Sequence, residues 1–388
     1  MKKSHYFLIS GLLIIFLVIG LILLVLLPKS SPSQQNNSSS EASIIMKEEQ
    51  TIKPKNHFGT KDNQHEQALN QFIQTKMTSE YGIVTNYIDT DQTAETATGH
   101  EILSESAGLM LRYLALTGQK KEFGNEWNLT LKTVDDGTQF SYRYSPKLAK
   151  RYDVNASVDD LRILRSLKEA GSKFHDIEYE KDFEKYANRF IKTSIKENEL
   201  YDFYDSKTKM NNDFITLCYI DLKTISLLPG NQTKLLENQT TILQNGYLGD
   251  TFPFYKTRFN YSKNDYQDST EINVIESLLA ILHLSEVGLQ KQASIDYLKE
   301  QVNDGTLSNR YDSKGKPIDL NQSPAAYGIA AMIASEAGDE EFYLTAMNKM
   351  ETYQIMDEAS PLYGGYGDTE TNQVYSFNNL IALLAYQY

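Results

Sequence analysis

The sequence is poor in the residues that would cross-link it, clasp a metal or grip nucleic acid. It has one cysteine, Cys218, so no intramolecular disulfide can form. That cysteine lies in the apolar stretch NNDFITLCYIDLKTISLL and is expected as a buried small hydrophobe. Six histidines stand at positions 5, 57, 65, 100, 175 and 283, none paired at metal-site spacing, so no metal site and no cofactor are expected. No HExxH, GxSxG or phosphate-cradling glycine loop occurs. Positive charge is in deficit: 38 Lys+Arg against 51 Asp+Glu give a net charge of −13. A nucleic-acid binder needs basic patches, so that class is set aside. Tryptophan occurs once, at Trp127. Strand-like alternation is scarce, and no βαβ alternation is visible.

The chain begins with an uncharged apolar run, Phe7–Leu27, behind Lys2 and Lys3. As a helix rising about 1.5 Å per residue it would be roughly 30 Å long, enough for a bilayer core. It exceeds the usual signal-peptide core and no Ala-x-Ala follows, so an uncleaved anchor is the reading. The preceding lysines keep the N-terminus inside and the bulk outside. Residues 1–28 are thus read as cytoplasmic N-terminus and transmembrane helix. Residues 29–65, opening with KSSPSQQNNSSSE, are read as a flexible polar linker. Residues 66–388 remain for a folded domain, long enough to bury a large core.

That domain reads as all-α. Helical spacing recurs over about 66–79, 104–117, 158–170, 180–197, 213–228, 271–287, 292–301, 324–337, 339–355 and 375–387. In SVDDLRILRSLKEAG, Ser157 is placed to cap, Leu161, Leu164 and Leu167 share a face, and Gly171 ends the helix. In STEINVIESLLAILHLSEVG, Thr270 or Ser269 takes the cap. SPAAYGIAAMIASEAG sets Pro324 just inside its start. TQFSYRYS alternates weakly, like a hairpin arm. Helical hairpins joined by long loops build either a toroid or a superhelix of pairs, and periodicity fits both.

The loop at 246–268, GYLGDTFPFYKTRFNYSKNDYQD, is crowded with aromatics, and the chain holds 26 tyrosines. Such rings suit the apolar faces of sugars, and equally well pin a long loop to the body. Glu105 sits between two serines at the mouth of an apolar helix, in TGHEILSESAGLMLRYLALTG. Cleaving a glycosidic bond takes one carboxylic acid to protonate the leaving oxygen and a second carboxylate to activate water. Glu105, Asp159, Asp160, Asp265, Asp268 and Glu271 are candidates.

SESAGLMLRYLALTG resembles the acid-bearing segment of glycoside hydrolase family 8. The resemblance implies Glu105 as general acid. NASVDDLRILRSLKEAG resembles a further family segment, with Asp159 or Asp160 holding the sugar. DFITLCYIDL points to Tyr219 at the cleft. NDYQDSTEINVIESLLA resembles the segment of the catalytic base, which maps to Asp268, with Asp265 as the substitute; Tyr266 and Tyr144 are the remaining sugar-binding candidates. The family's arginine near the base is Glu271 here, and the glycine after the acid is Ser106. The resemblance implies an (α/α)6 barrel and an inverting endo-hydrolase of an extracellular polysaccharide. It is nearest to divergent, membrane-tethered members of Gram-positive bacteria associated with exopolysaccharide synthesis machinery. Polymer and membrane are then the expected partners, and the catalytic domain lies outside the cell. The alternative is a non-catalytic glycan-binding protein of a polysaccharide export system.

Overall fold

The computed structural model describes residues 52–60 and 63–388. The apolar run and most of the expected linker lie outside them. No helix among the described residues is long and apolar enough to cross a membrane.

Among the described residues twelve α-helices form the body: α1 Gln64–Lys76, α2 Ser104–Leu116, α3 Lys120–Val134, α4 Ser157–Phe174, α5 Ile177–Ser194, α6 Leu222–Leu227, α7 Thr233–Asn245, α8 Val274–Ser285, α9 Gln292–Asp304, α10 Pro324–Ala337, α11 Glu340–Glu351 and α12 Ser376–Ala385. The even-numbered helices contact one another in turn, α2–α4–α6–α8–α10–α12, and α12 returns to α2. That closure makes an inner ring, and the odd-numbered helices pack outside it. Of the two arrangements open from periodicity, the toroid is the one formed.

Composition explains the layering. Inner helices are buried nearly all round, charged residues included: on α10 every residue from Pro324 to Glu336 is buried, and on α4 so are Asp159, Arg162 and Arg165. Outer helices bury one stripe, as α3 does with Phe123, Trp127, Thr130 and Val134. Small residues let inner helices approach closely. A Cβ on Gly108 would lie 2.9 Å from Cβ of Arg162, so α2 and α4 meet backbone to backbone only because that position is glycine.

Several local expectations change. The helix expected over 213–228 is a strand Phe214–Thr216, a tight turn Leu217–Tyr219 and the short α6. Two buried aspartates hold this break. Asp202 accepts from the Thr216 backbone N–H and hydroxyl. Asp221 caps α6 through the Thr224 N–H and hydroxyl. Ser157 does not cap α4; it is the first helical residue, and its N–H goes to the Asp202 carbonyl. Asn273, not Thr270 or Ser269, caps α8, accepting from Ile275 and Glu276. Helices α3 and α7 were not expected.

Inner helices α2, α4, α8, α10 and α12 run parallel, so their N-terminal ends gather at one end of the barrel, here called the mouth; the short α6 starts deeper, with its cap Asp221 beside Arg165 and His283. Short antiparallel strands lead into them there. Ile102–Leu103 pairs with Arg143–Ser145 ahead of α2, and Glu271–Asn273 with Arg310–Asp312 ahead of α8. Phe214–Thr216 pairs with Arg258–Asn260 ahead of α6. The TQFSYRYS segment does supply a hairpin arm, Arg143–Ser145. At the opposite end, the floor, residues 53–59 of the expected linker lie against the barrel. The Phe58 and Gly59 N–H groups donate to the Tyr388 carbonyl.

Candidate active site

Glu105 occupies the first turn of α2 at the mouth and is 9% exposed. The neighbouring first turn of α4 brings Asp159 and Arg162 beside it. Arg162 Nη1 lies 2.7 Å from Asp159 Oδ1 and 3.4 Å from Glu105 Oε2. The Ser104 hydroxyl donates to the other oxygen of Asp159 at 2.9 Å. One guanidinium is therefore shared unequally, with Asp159 holding the closer contact and a second donor.

This arrangement sets the charge on Glu105. Burial pushes its carboxyl up, Arg162 pulls it down and the Asp159 charge pushes it up again; the net is a rise from the ordinary 4.5 to about 7. Burial also raises Asp159, against the pull of Arg162 and Ser104. The result is a carboxyl that carries a proton near neutrality, fixed next to a paired carboxylate. Near a helix start the amide dipoles would favour the anion, so burial outweighs them here.

Tyr219 sits in the tight turn ahead of α6 and is buried. The charges of Asp202, Asp159 and Arg162 all bear on its phenol, which burial raises well above the ordinary range. Cys218 beside it is buried, as expected of a small hydrophobe. Glu105, Asp159 and Tyr219 are thus brought together. Asp160 is not with them. It faces the outer layer, lining a small cavity with Gln139, Phe140, Tyr186 and Arg189, and Asn155 Nδ2 donates to it at 2.6 Å. The reason is rotational: consecutive helical residues point about 100° apart.

Asp265 and Asp268 are exposed, on and just after the strand Asp265–Tyr266 that precedes α8 at the mouth. Asp265 accepts from the Tyr266 N–H. The Tyr266 hydroxyl is engaged by the Ile242 carbonyl, and its ring packs on Phe259 at 5.1 Å. Tyr144 is half-buried beside Tyr81, with ring centres 5.5 Å apart. Glu271 pairs with Arg310 at 3.3 Å.

Arg162 and Ser104 escaped the reading of the sequence. Asp159 and Arg162 stand three apart on one helix face, which was the available signal; nothing in the sequence marked Ser104 as reaching a residue 55 positions away. Asp202, buried and raised to about 7 chiefly by burial, was missed as well.

A second set of charges lies at the floor. Asp221, His283 and Glu286 bring ligand-type atoms within 4.8 Å of one another. These are acid–base side chains, but Arg165 sits among them, 2.6 Å from Glu286 and 3.8 Å from Asp221. A guanidinium there supplies the positive charge a metal ion would bring. Arg112 and Glu169 extend the network at 2.9 Å.

No protein-family model matches the chain. A curated protein of Bacillus subtilis, described as a putative lipoprotein, is 27% identical over 302 residues, 73% of this chain and 78% of that one. The solved structure of an endoglucanase of Klebsiella pneumoniae, described as a family 8 glycosyl hydrolase, superposes with a TM-score of 0.56 at 14% identity, over 82% of this chain and 97% of that one. It shows the fold alone. A structure described as a novel α-amylase from Clostridium perfringens superposes with a TM-score of 0.78 at 32% identity, covering 84% of this chain and 99% of that one. The chain therefore belongs to the family of that Clostridium perfringens protein, built on the toroid that family 8 glycoside hydrolases also use.

Proposed function

We propose that this protein is an inverting, endo-acting glycoside hydrolase of an extracellular polysaccharide. The observation that carries the reading is Glu105: a buried carboxyl at the barrel mouth, raised to about 7 and flanked by Arg162 and Asp159. Such a group is a proton donor at neutral pH. In the proposed reaction Glu105 gives its proton to the leaving glycosidic oxygen. As that proton leaves, Arg162 stabilises the new carboxylate. Asp159 keeps Arg162 in place and holds the sugar together with Tyr219. Asp268, from the exposed loop ahead of α8, takes a proton from the attacking water on the opposite face of the ring; Asp265 is its substitute. Inversion needs a gap of roughly 6.5–9.5 Å between acid and base, wide enough for that water.

The family relative's description as an α-amylase makes an α-linked glucan the first polymer to test. An exopolysaccharide of the producing cell is the second. The Bacillus relative's description as a lipoprotein supports attachment to a membrane. Lipid attachment needs an N-terminal cysteine and this chain has only Cys218, so the Phe7–Leu27 run is assigned as the anchor here. The domain then works at the outer face of the cell membrane.

The test is turnover of both polymers by wild type, Glu105→Gln and Asp268→Asn, with the anomer of the first product assigned by NMR. The reading expects cleavage with inversion, lost in Glu105→Gln while polymer binding persists. Binding without cleavage in wild type would leave a glycan-binding module instead. An unsaturated product ring would mean elimination.

A further inference from the structure

The two ends of the barrel differ in what covers them, and the chain's entry point lies at only one. Glu105 and Asp159 mark the mouth. Helix α2 is 13 residues long, so mouth and floor are about 20 Å apart along it. At the floor, residues 53–59 cross the C-terminal ends of the inner helices. Asn56 Nδ2 donates to the Ser335 carbonyl at 2.7 Å, and the Ser335 hydroxyl returns a bond to the Asn56 carbonyl at 3.1 Å. The Lys55 N–H donates to Glu336 at 3.3 Å. Phe58 packs on Tyr343 with ring centres 5.8 Å apart. Lys223 donates through Nζ to the Lys53 carbonyl at 2.9 Å. The charges of Arg165, Glu286, Glu336 and Glu169, from three different inner helices, all bear on Lys223. Residue 53 therefore lies near the barrel axis rather than at its rim.

We propose that this strap mounts the barrel floor-down on a lipid bilayer, with the acid-bearing mouth turned away from the surface that holds the chain. The proposal rests on the reading of Phe7–Leu27 as a membrane anchor. Residues 29–52 separate that run from the strap. Those 24 residues can reach no farther than about 80 Å, and they join the domain at the floor. Attachment near the floor axis makes the mouth, on average, the farther end; attachment at the rim would bring mouth and floor to the surface equally. An enzyme so mounted takes polymer arriving from outside or leaving the cell, not polymer lying flat on the anchoring membrane.

The full-length chain tests this in vesicles carrying an acceptor-labelled lipid. A donor dye is placed at the floor by Lys121→Cys, at the start of α3, or at the mouth by Lys263→Cys, on the hairpin ahead of α8. Both lysines are exposed, and the native Cys218 is buried and stays unlabelled. The proposal expects energy transfer to lipid at least twofold greater from position 121 than from 263. It also expects Asn56→Ala combined with Phe58→Ala to shrink that contrast, because the strap then loses its hold on the floor. Equal or reversed transfer, in protein that floats with the vesicles, overturns the orientation while leaving the anchor standing. So does an undiminished contrast in the double variant. Protein that fails to float overturns the anchor and the mounting with it, and leaves polymer cleavage by Glu105 untouched.

Discussion

The Asp159→Asn substitution tests the charge balance around Glu105 directly. It is isosteric and can retain contact with Ser104, but it removes the negative charge that raises Glu105 and competes for Arg162. Glu105 is then left with an undivided cation 3.4 Å away, so its pKa must fall. An opposite charge at such range typically lowers a carboxyl by about 1–3 units. A shift of about 1 unit, or roughly 1.4 kcal/mol, is the low end. With Glu105 at about 7, half of the wild-type molecules hold the donor proton at pH 7; after a shift of about one unit, roughly one in ten would. Cleavage at pH 7 should drop about fivefold from ionisation alone, and the drop should fade below about pH 6. The assay is the release of new reducing ends from the cleaved polymer between pH 5 and 9. The alkaline limb should move to lower pH by about one unit. An unmoved limb, or a loss equal at every pH, refutes the reasoning and leaves Asp159 only as a contact to the sugar.

Three further outcomes follow from the same geometry. Glu105→Gln should stabilise the fold while abolishing turnover: the native carboxyl is raised from 4.5 to about 7, so it binds an extra proton in that window and stability falls as pH rises through it. At pH 8 the variant should gain up to about 3 kcal/mol in chemical denaturation, with no gain at pH 4; equal stability at both values would contradict the burial argument. Glu286→Gln should cost about 3 kcal/mol, the low end for a broken buried pair, because Arg165 keeps Glu169 at 3.3 Å and Asp221 at 3.8 Å; urea midpoints measure it. Asp160→Ala should cost about 1–3 kcal/mol by removing one of the two acceptors of the Asn155 amide and leaving only the Ser194 hydroxyl, while Asp160→Asn should keep both stability and turnover. Lost turnover in a stable Asp160→Asn protein would instead put Asp160 on the sugar.

Much of the fold was legible because local physics dictated it. Leu161, Leu164 and Leu167 declare α4, and the near-continuous apolar run after Pro324 declares α10, whatever they pack against. The segment around Glu105 was readable from its resemblance to one family. Helix α3 was not, since only Phe123, Trp127, Thr130, Thr133 and Val134 of its fifteen residues are buried, and two of those five are threonines. Nor was the break in 213–228, which depends on Asp202 reaching Thr216 from another segment. The choice of Asn273 over Thr270 as cap turned on where the strand Glu271–Asn273 pairs with Arg310–Asp312, a contact some forty positions distant.

The amino-acid order alone determined the helical class, the absence of cross-links, the acidic surface and the position of one carboxylate in a first helical turn. Only the closed ring decided what that carboxylate is. Its proton affinity comes from the water excluded around it and from Arg162 and Asp159, which another helix carries more than fifty positions away. The turn of α4 itself pointed Asp160 away from Asp159, and packing set it in the outer layer and laid residues 53–59 across the floor. Burial and charge proximity are properties of three-dimensional neighbours, and a linear chain does not contain them until it is packed.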